Sequence, residues 1–228
     1  MKPRLLEIRQ GVLDKNDRLA GGLRQRFEAA GVLTINIVSS PGSGKTELLK
    51  ETLRMLIERG YKVAALVGDL ETDNDAQRLL ASGAPVRQIV TGGNCHLEAD
   101  MIETHLNGWQ FADYDMLFIE NVGNLVCPAN YDLGEAVRVV MLSVTEGEDK
   151  PLKYPPMFNS SDVAIITKVD IAEAVEFDHS AAHANIDAVH PGITIFETSA
   201  KKGTGMDAWL DYLIVKLEAA RSSAQVEG

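Results

Sequence analysis

The run Ser39-Ser40-Pro41-Gly42-Ser43-Gly44-Lys45-Thr46 has the residue types and spacing needed to hold a polyphosphate. Gly42 and Gly44 let the backbone turn its N–H groups toward phosphate oxygens with no Cβ in the way. Lys45 can reach the β- and γ-phosphates, and the Thr46 hydroxyl can bind Mg²⁺. Ser39 stands where the usual G-x-x-x-x-G-K-S/T pattern has its first glycine. Taken alone, such a run also suits a small-residue turn at the start of an ordinary helix. Its flanks favour the phosphate reading. An apolar strand-like run, 32–38, precedes it, and a helical pattern beginning at Glu47 follows. A helix start there adds its positive dipole end to the loop's N–H groups. Pro41, Gly42, Ser43, Gly44, Lys45, Thr46 and Glu47 are the expected phosphate-binding residues, with Lys45 as the catalytic cation.

Three further groups read as equipment for that nucleotide. Thr167-Lys168-Val169-Asp170 stands where GTPases keep N-K-x-D. A carboxylate at Asp170 can accept hydrogen bonds from the N1–H and N2–H₂ of guanine, an edge that adenine lacks, and the Lys168 stem can lie over the base. Ser199-Ala200-Lys201 resembles the second guanine-contacting element of GTPases. Together these favour GTP over ATP. Glu120-Asn121-Val122-Gly123 occupies the place of D-x-x-G. A carboxylate there holds Mg²⁺, and the glycine N–H can sense the γ-phosphate. Glu120, one methylene longer than aspartate, and Asp69 join Thr46 as expected Mg²⁺ ligands, and both count as catalytic candidates. Asp73 and Asp75 belong to a polar loop able to fold over the nucleotide, or equally cap the helix that follows. No glutamine follows Gly123 in the water-orienting place, so slow intrinsic hydrolysis is expected.

A second kind of chemistry is carried by Cys95, His96 and Cys127. Thiolate and imidazole suit Ni²⁺ and Zn²⁺. A free cysteine is more often a small buried hydrophobe, but both of these lie in loops after strands, one beside a histidine and one before Pro128. Three ligands do not close a site, and a symmetric dimer would supply more. His179 and His183 sit four apart on a helical pattern, either as a second pair of ligands or as a solvated face.

The elements that must position these groups alternate between strand and helix. Strands are expected over 32–38, 62–67, 86–90, 116–119, 137–144, 162–167 and 193–198, and helices over 47–59, 76–82, 97–107, 172–189 and 205–220. That alternation specifies an α/β fold of the P-loop NTPase kind, a mostly parallel sheet covered on both faces. Every motif falls after a strand, on the edge where such sheets bind ligands. Residues 1–30 read as one or two amphipathic helical pieces packed on the core, weakened at Gly21-Gly22. Residues 31–221 form the nucleotide-binding domain, and 222–228 a frayed tail. The stretch 148–156 is read as an extended, exposed loop held by its prolines, from which Lys153 can reach a nucleotide across a dimer.

Net charge is −11, which argues against a nonspecific nucleic-acid partner. No run reaches the roughly 18 apolar residues of a membrane helix, and Met1-Lys2-Pro3-Arg4 leads into mixed charge and not a signal core. No membrane partner is expected. A cytoplasmic protein with two free thiols is.

Assembled, these residues resemble the HypB family, the GTPases that help insert nickel into nickel–iron hydrogenases. The match runs from residue 33 to about 213. Its most specific pieces are Ser39 to Thr46, Gly68-Asp69-Leu70-Glu71-Thr72-Asp73, Thr91-Gly92-Gly93-Asn94-Cys95-His96-Leu97-Glu98-Ala99, the run from Phe118 to Pro128, and Ser143-Val144-Thr145-Glu146-Gly147-Glu148-Asp149-Lys150. The resemblance implies GTP-dependent dimerisation and a nickel or zinc site at the dimer interface built from Cys95, His96 and Cys127. It also implies partners among the hydrogenase maturation proteins, including a nickel-binding chaperone, and the hydrogenase large subunit. Some members carry an N-terminal cysteine motif or a histidine-rich tail, neither of which occurs in these residues, so delivery is expected here more than storage. Two other classes share parts of the pattern. One is a GTPase chaperone of another enzyme, of the urease or cobalamin-mutase type. The other is a small-molecule kinase, in which Lys168 and Asp170 would be incidental.

Overall fold

The computed structural model describes residues 2–69 and 74–226. Asp73 and the rest of 70–73 lie outside the described residues. Seven strands, β1 (Leu33–Ser39), β2 (Val63–Asp69), β3 (Val86–Val90), β4 (Met116–Glu120), β5 (Val137–Ser143), β6 (Val163–Thr167) and β7 (Thr194–Thr198), form one sheet in the order β3-β2-β4-β1-β5-β6-β7. The sheet was expected to be mostly parallel, and every pairing in it is parallel. Ile37 on β1 and Val67 on β2 both pair with Glu120 on β4. That register sets the ends of β1, β2 and β4 side by side.

The five inner strands are buried on both faces, the edge strands β3 and β7 only in part, and successive side chains alternate between two apolar layers. Val63, Ala65, Val67 and Phe118 face α2 (Lys45–Glu58) and α8 (Met206–Val226). Ala64, Leu66, Leu117 and Ile119 face α1 (Lys2–Ala29) and α4 (Ala99–His105). Farther along that same face, Val140, Leu142, Ala164 and Ile166 meet α6 (Pro155–Asn159) and α7 (His179–Val189). A short α3 (Asn74–Leu80) and a one-turn α5 (Lys150–Lys153) complete the helices. Among the described residues, no helix is long and apolar enough to cross a membrane.

Several elements differ from the sequence expectation. α1 is one continuous helix through Gly21-Gly22. Each glycine costs about 1 kcal/mol there, and burial of Ala20, Leu23 and Phe27 against the sheet offsets it. Gly134, at φ 79°, lets the chain before β5 press on this helix: a Cβ would lie 2.8 Å from the Ala20 carbonyl oxygen. The stretch 148–156 is not extended. It folds into α5 and α6, because Pro151 and Pro155 occupy first-turn positions where a missing N–H costs nothing. Pro151 is buried. The helical stretch expected from 172 begins as an isolated 3₁₀ turn, Glu173–Val175, and is broken by Glu176 in the left-handed region. α7 starts only after the Asp178 cap. α8 continues through Ser222 to Val226, past the point where fraying was expected. No glycine or proline interrupts it, and Arg221 fastens it to Asp115 and to the Gly31 carbonyl.

Candidate nucleotide and metal site

The phosphate loop runs from the end of β1 into α2. Gly42 and Gly44 have φ of 76° and 93°, the left-handed region where glycine carries no Cβ penalty. Their conformation turns the loop around a cavity of about 430 Å³ lined by residues 40–47 together with Asp69, Asp75, Arg78, Val122 and Gly123. Inside it the Ser43 hydroxyl is buried without a hydrogen-bond partner, a donor suited to a phosphate oxygen.

Glu120 is 1% exposed at the end of β4. Its Oε1 accepts the Thr46 hydroxyl at 2.7 Å and lies 3.5 Å from Lys45 Nζ. Its Oε2 is buried without a hydrogen-bond partner. Burial pushes the Glu120 carboxyl above the usual carboxylate range, against the opposing pull of the Lys45 charge and the Thr46 hydroxyl. A buried anion with a spare oxygen, beside a threonine hydroxyl and with Asp69 on the same cavity wall, fits a divalent cation. Mg²⁺ would be held by Thr46, Glu120 and Asp69, where it would neutralise charge on the β- and γ-phosphates. Glu120→Gln, which keeps the shape and removes the charge, is expected to abolish Mg²⁺-dependent hydrolysis, read as phosphate release with and without EDTA. Hydrolysis at the wild-type rate would remove Glu120 from the cation site.

A second cavity, of about 160 Å³, adjoins the first across Gly44 and Glu47. Its walls include Lys168, Asp170, Ser199, Ala200 and Lys201, so the residues expected to read the base come together from β6 and β7. Lys168 adopts φ 62°, and its Nζ donates to the Gly42 carbonyl at 2.7 Å. The side chain therefore spans from the base pocket onto the phosphate loop. Ser199 Oγ donates to Asp170 Oδ1 at 2.6 Å, orienting the carboxylate. Thr167, in the place of the usual asparagine, donates its hydroxyl to the Ser43 carbonyl at 2.7 Å. It ties the base strand to the phosphate loop. Glu47 lines both cavities and accepts from Lys50. Lys153 lines neither. It is exposed on α5 and pairs with Asp149 at 2.6 Å.

The loop after β3 and the loop after β4 meet above the end of β2. Cys95 Sγ lies 2.8 Å from Cys127 Sγ and 3.7 Å from His96 Nδ1. Among the described residues, Cys95, His96 and Cys127 form the one group whose ligand atoms all lie within 4.8 Å of one another. The His96 ring lies 3.9 Å from that of Tyr131, tilted by 33°, and its Nε2, 3.3 Å from Glu98, makes no hydrogen bond. The Cys127 thiol, as hydrogen-bond partner, and partial burial hold the Cys95 thiol above its ordinary range. Two thiols and an imidazole so gathered suit a soft or borderline divalent ion.

Amide side chains join the two loops. Asn121 Oδ1 accepts from Leu97 N at 3.2 Å and from Val122 N at 2.9 Å. Asn124 Nδ2 donates to the Cys95 carbonyl at 3.1 Å. Gly68 makes the crossing over β2 possible: a Cβ there would lie 2.8 Å from the Leu97 side chain. Gly123 brings the second loop down onto the first site, since its Cβ would lie 3.1 Å from Pro41. One short segment therefore touches the phosphate loop at Gly123 and supplies Cys127. Asn121, Asn124, Tyr131 and Arg78 escaped the sequence reading. Arg78, paired with Asp75 at 3.2 Å on the cavity rim, had its i, i+3 spacing as a signal. The asparagines had none, because the partners that join the loops, Leu97 N and the Cys95 carbonyl, follow a different strand.

The family model for the nucleotide-binding domain of CobW/HypB/UreG matches residues 33–197. The chain is similar to the hydrogenase maturation factor HypB of Azotobacter chroococcum, 47% identical over 98% of this chain and 73% of that one. Among solved structures it is similar to HypB from Helicobacter pylori in complex with nickel, at 41% identity and a TM-score of 0.85, covering 90% of this chain and 96% of that one. It is also similar to HypB from Archaeoglobus fulgidus, at 40% identity and a TM-score of 0.82, covering 90% and 99%.

Proposed function

From a chain that belongs to the HypB family within the CobW/HypB/UreG group of nucleotide-binding proteins, we propose a GTP-gated nickel carrier that serves hydrogenase maturation. It binds GTP with Mg²⁺, and two chains then associate through the faces that bear Cys95, His96 and Cys127. Thiolates and imidazoles from both subunits complete a four-ligand site. A square-planar arrangement favours Ni²⁺ and a tetrahedral one Zn²⁺. GTP and water give GDP and phosphate slowly, for want of a water-orienting glutamine after Gly123. The interface then relaxes and the ion passes to a maturation partner, a nickel-binding chaperone or the hydrogenase large subunit, in the cytoplasm. Lys153, outward on α5, reaches the nucleotide of the partner subunit in that dimer.

The observation that carries this reading is the shared segment 120–127. Gly123 lines the nucleotide cavity, Glu120 accepts the hydroxyl of Thr46 on its wall, and Cys127 belongs to the metal group. A γ-phosphate that moves Gly123 must move Cys127, and linkage requires the reverse effect of metal on nucleotide affinity. Nickel titration of the GDP form and of a nonhydrolysable GTP-analogue form, with sedimentation on the same samples, tests it. Nickel affinity is expected to differ roughly 5- to 150-fold between the two states, the range of ordinary allosteric coupling. It should collapse in both states in Cys127→Ser. Equal nickel affinities, or a monomer in both states, would refute the gating.

A further inference from the structure

Away from both sites, α7 and the edge strand β7 bring together another set of donors. His179 and His183 are one turn apart on the same face of α7. Glu197 on β7 points at that face. Its Oε1 lies 2.9 Å from His179 Nδ1 and 2.9 Å from His183 Nε2. Burial works against ionisation of this carboxyl, yet hydrogen bonds from the two imidazoles hold it below the usual range. The ring of Phe177 packs edge-on against His179 at 5.2 Å, which limits that imidazole's freedom. The three side chains are 35–44% exposed, so water can fill any remaining coordination positions.

We propose that His179, His183 and Glu197 form a second site for a divalent transition ion, Zn²⁺ or Ni²⁺, distinct from the thiol site. Each facing nitrogen becomes a metal ligand when its ring proton moves to the other nitrogen, which tautomerism of neutral imidazole allows. The carboxylate oxygen lies between the two nitrogens, which stand more than 4.8 Å apart; to bind, the oxygen swings out of that gap and side-chain rotation brings the two nitrogens in to an ion in its place. Two imidazoles on adjacent turns, a carboxylate and water make a nitrogen–oxygen donor set that these ions accept. The cysteine site, with its thiolates, is softer, so the two sites bind with different donor chemistry. Glu197 is followed directly by Thr198, Ser199, Ala200 and Lys201 of the base pocket. An ion here would clamp α7 to the strand that carries those residues.

Equilibrium dialysis of a Cys95→Ser/Cys127→Ser protein, stripped with EDTA, against Ni²⁺ and separately against Zn²⁺ tests the assignment. That background removes the thiol site, so the result does not depend on the nickel-carrier reading. The protein should retain about one ion per chain, and adding His179→Gln/His183→Gln should weaken that binding by at least about tenfold. GDP binding in the same samples reports folding. Should the histidine variant fail to bind GDP, Glu197→Gln in the same background decides, and it too should weaken the ion. A thiol-free protein that retains neither ion, or a retained ion indifferent to these substitutions, would overturn the proposal and leave a carboxylate that only pairs with two imidazoles.

Discussion

Asp170→Asn is expected to reverse the base preference of the protein, from GTP toward XTP. In the proposed complex the wild-type carboxylate would accept two hydrogen bonds, from the guanine N1–H and N2–H₂. An amide offers one acceptor and places a donor where the guanine amino group also donates. Hydrogen bonds to a charged acceptor contribute about 1.5–3 kcal/mol each, so losing the one from N2–H₂ costs GTP at least roughly 10- to 10²-fold in affinity. Xanthine has a carbonyl where guanine has its amino group, and the amide N–H₂ can donate to it. Ser199, which donates to Oδ1, can donate equally to an amide oxygen, so the side chain keeps its orientation. Competition of GTP, XTP and ATP for the variant reads the outcome. Retained preference for GTP over XTP would remove Asp170 from the base site, and with it the main ground for a guanine nucleotide.

Lys45→Ala is expected to lower kcat for GTP hydrolysis by roughly 10²- to 10³-fold, the usual loss when one preorganised donor to a developing anion is removed. The side chain is only 11% exposed and lies 3.5 Å from Glu120 Oε1. It therefore counters a buried carboxylate in the empty protein and would counter phosphate charge in the loaded one. Single-turnover measurements separate this chemical effect from weaker nucleotide binding. Hydrolysis at the wild-type rate would sink the phosphate-loop assignment. Thermal unfolding adds a second reading: without Lys45, the buried Glu120 carboxylate loses its nearest cation, and the empty protein should melt lower.

The parts of the site legible in the sequence are those written in short contiguous runs. Residues 39–46 had to join a strand to a helix, and they do: Ser39 ends β1, 40–44 form the loop, and Lys45 and Thr46 open α2. Thr167 to Asp170 and Ser199 to Lys201 follow adjacent parallel strands, so their convergence on one pocket follows from strand order once β6 and β7 pair. Cys95 and Cys127 are a different case. Their residue types suggested a metal, but their approach depends on the loop after β3 crossing the end of β2 to reach the loop after β4. No periodicity encodes that crossing. The prolines of 148–156 were misread because proline fixes φ in a range shared by extended chain and helix, and only the neighbouring packing decides between them. The Gly21-Gly22 pair was likewise weighed by propensity alone, whereas α1 is set by what Ala20, Leu23 and Phe27 bury.

Gly68 has a consequence of another order. Its backbone is not in the left-handed region, so any residue type could take its conformation. What forbids a side chain is Leu97, seated on the strand where a Cβ would be. Leu97 is the residue after His96, and its N–H is fastened to Asn121. Position 68 thus works as a spacer of fixed thickness between the strand that leads to Asp69 and the loop that carries the thiol and imidazole. One added methyl group there would lift the metal-binding loop and leave the phosphate loop on β1 in place. The height of the loop that carries Cys95 and His96 over the sheet is thus set by a position that supplies no ligand of its own, through the absence of a single carbon atom.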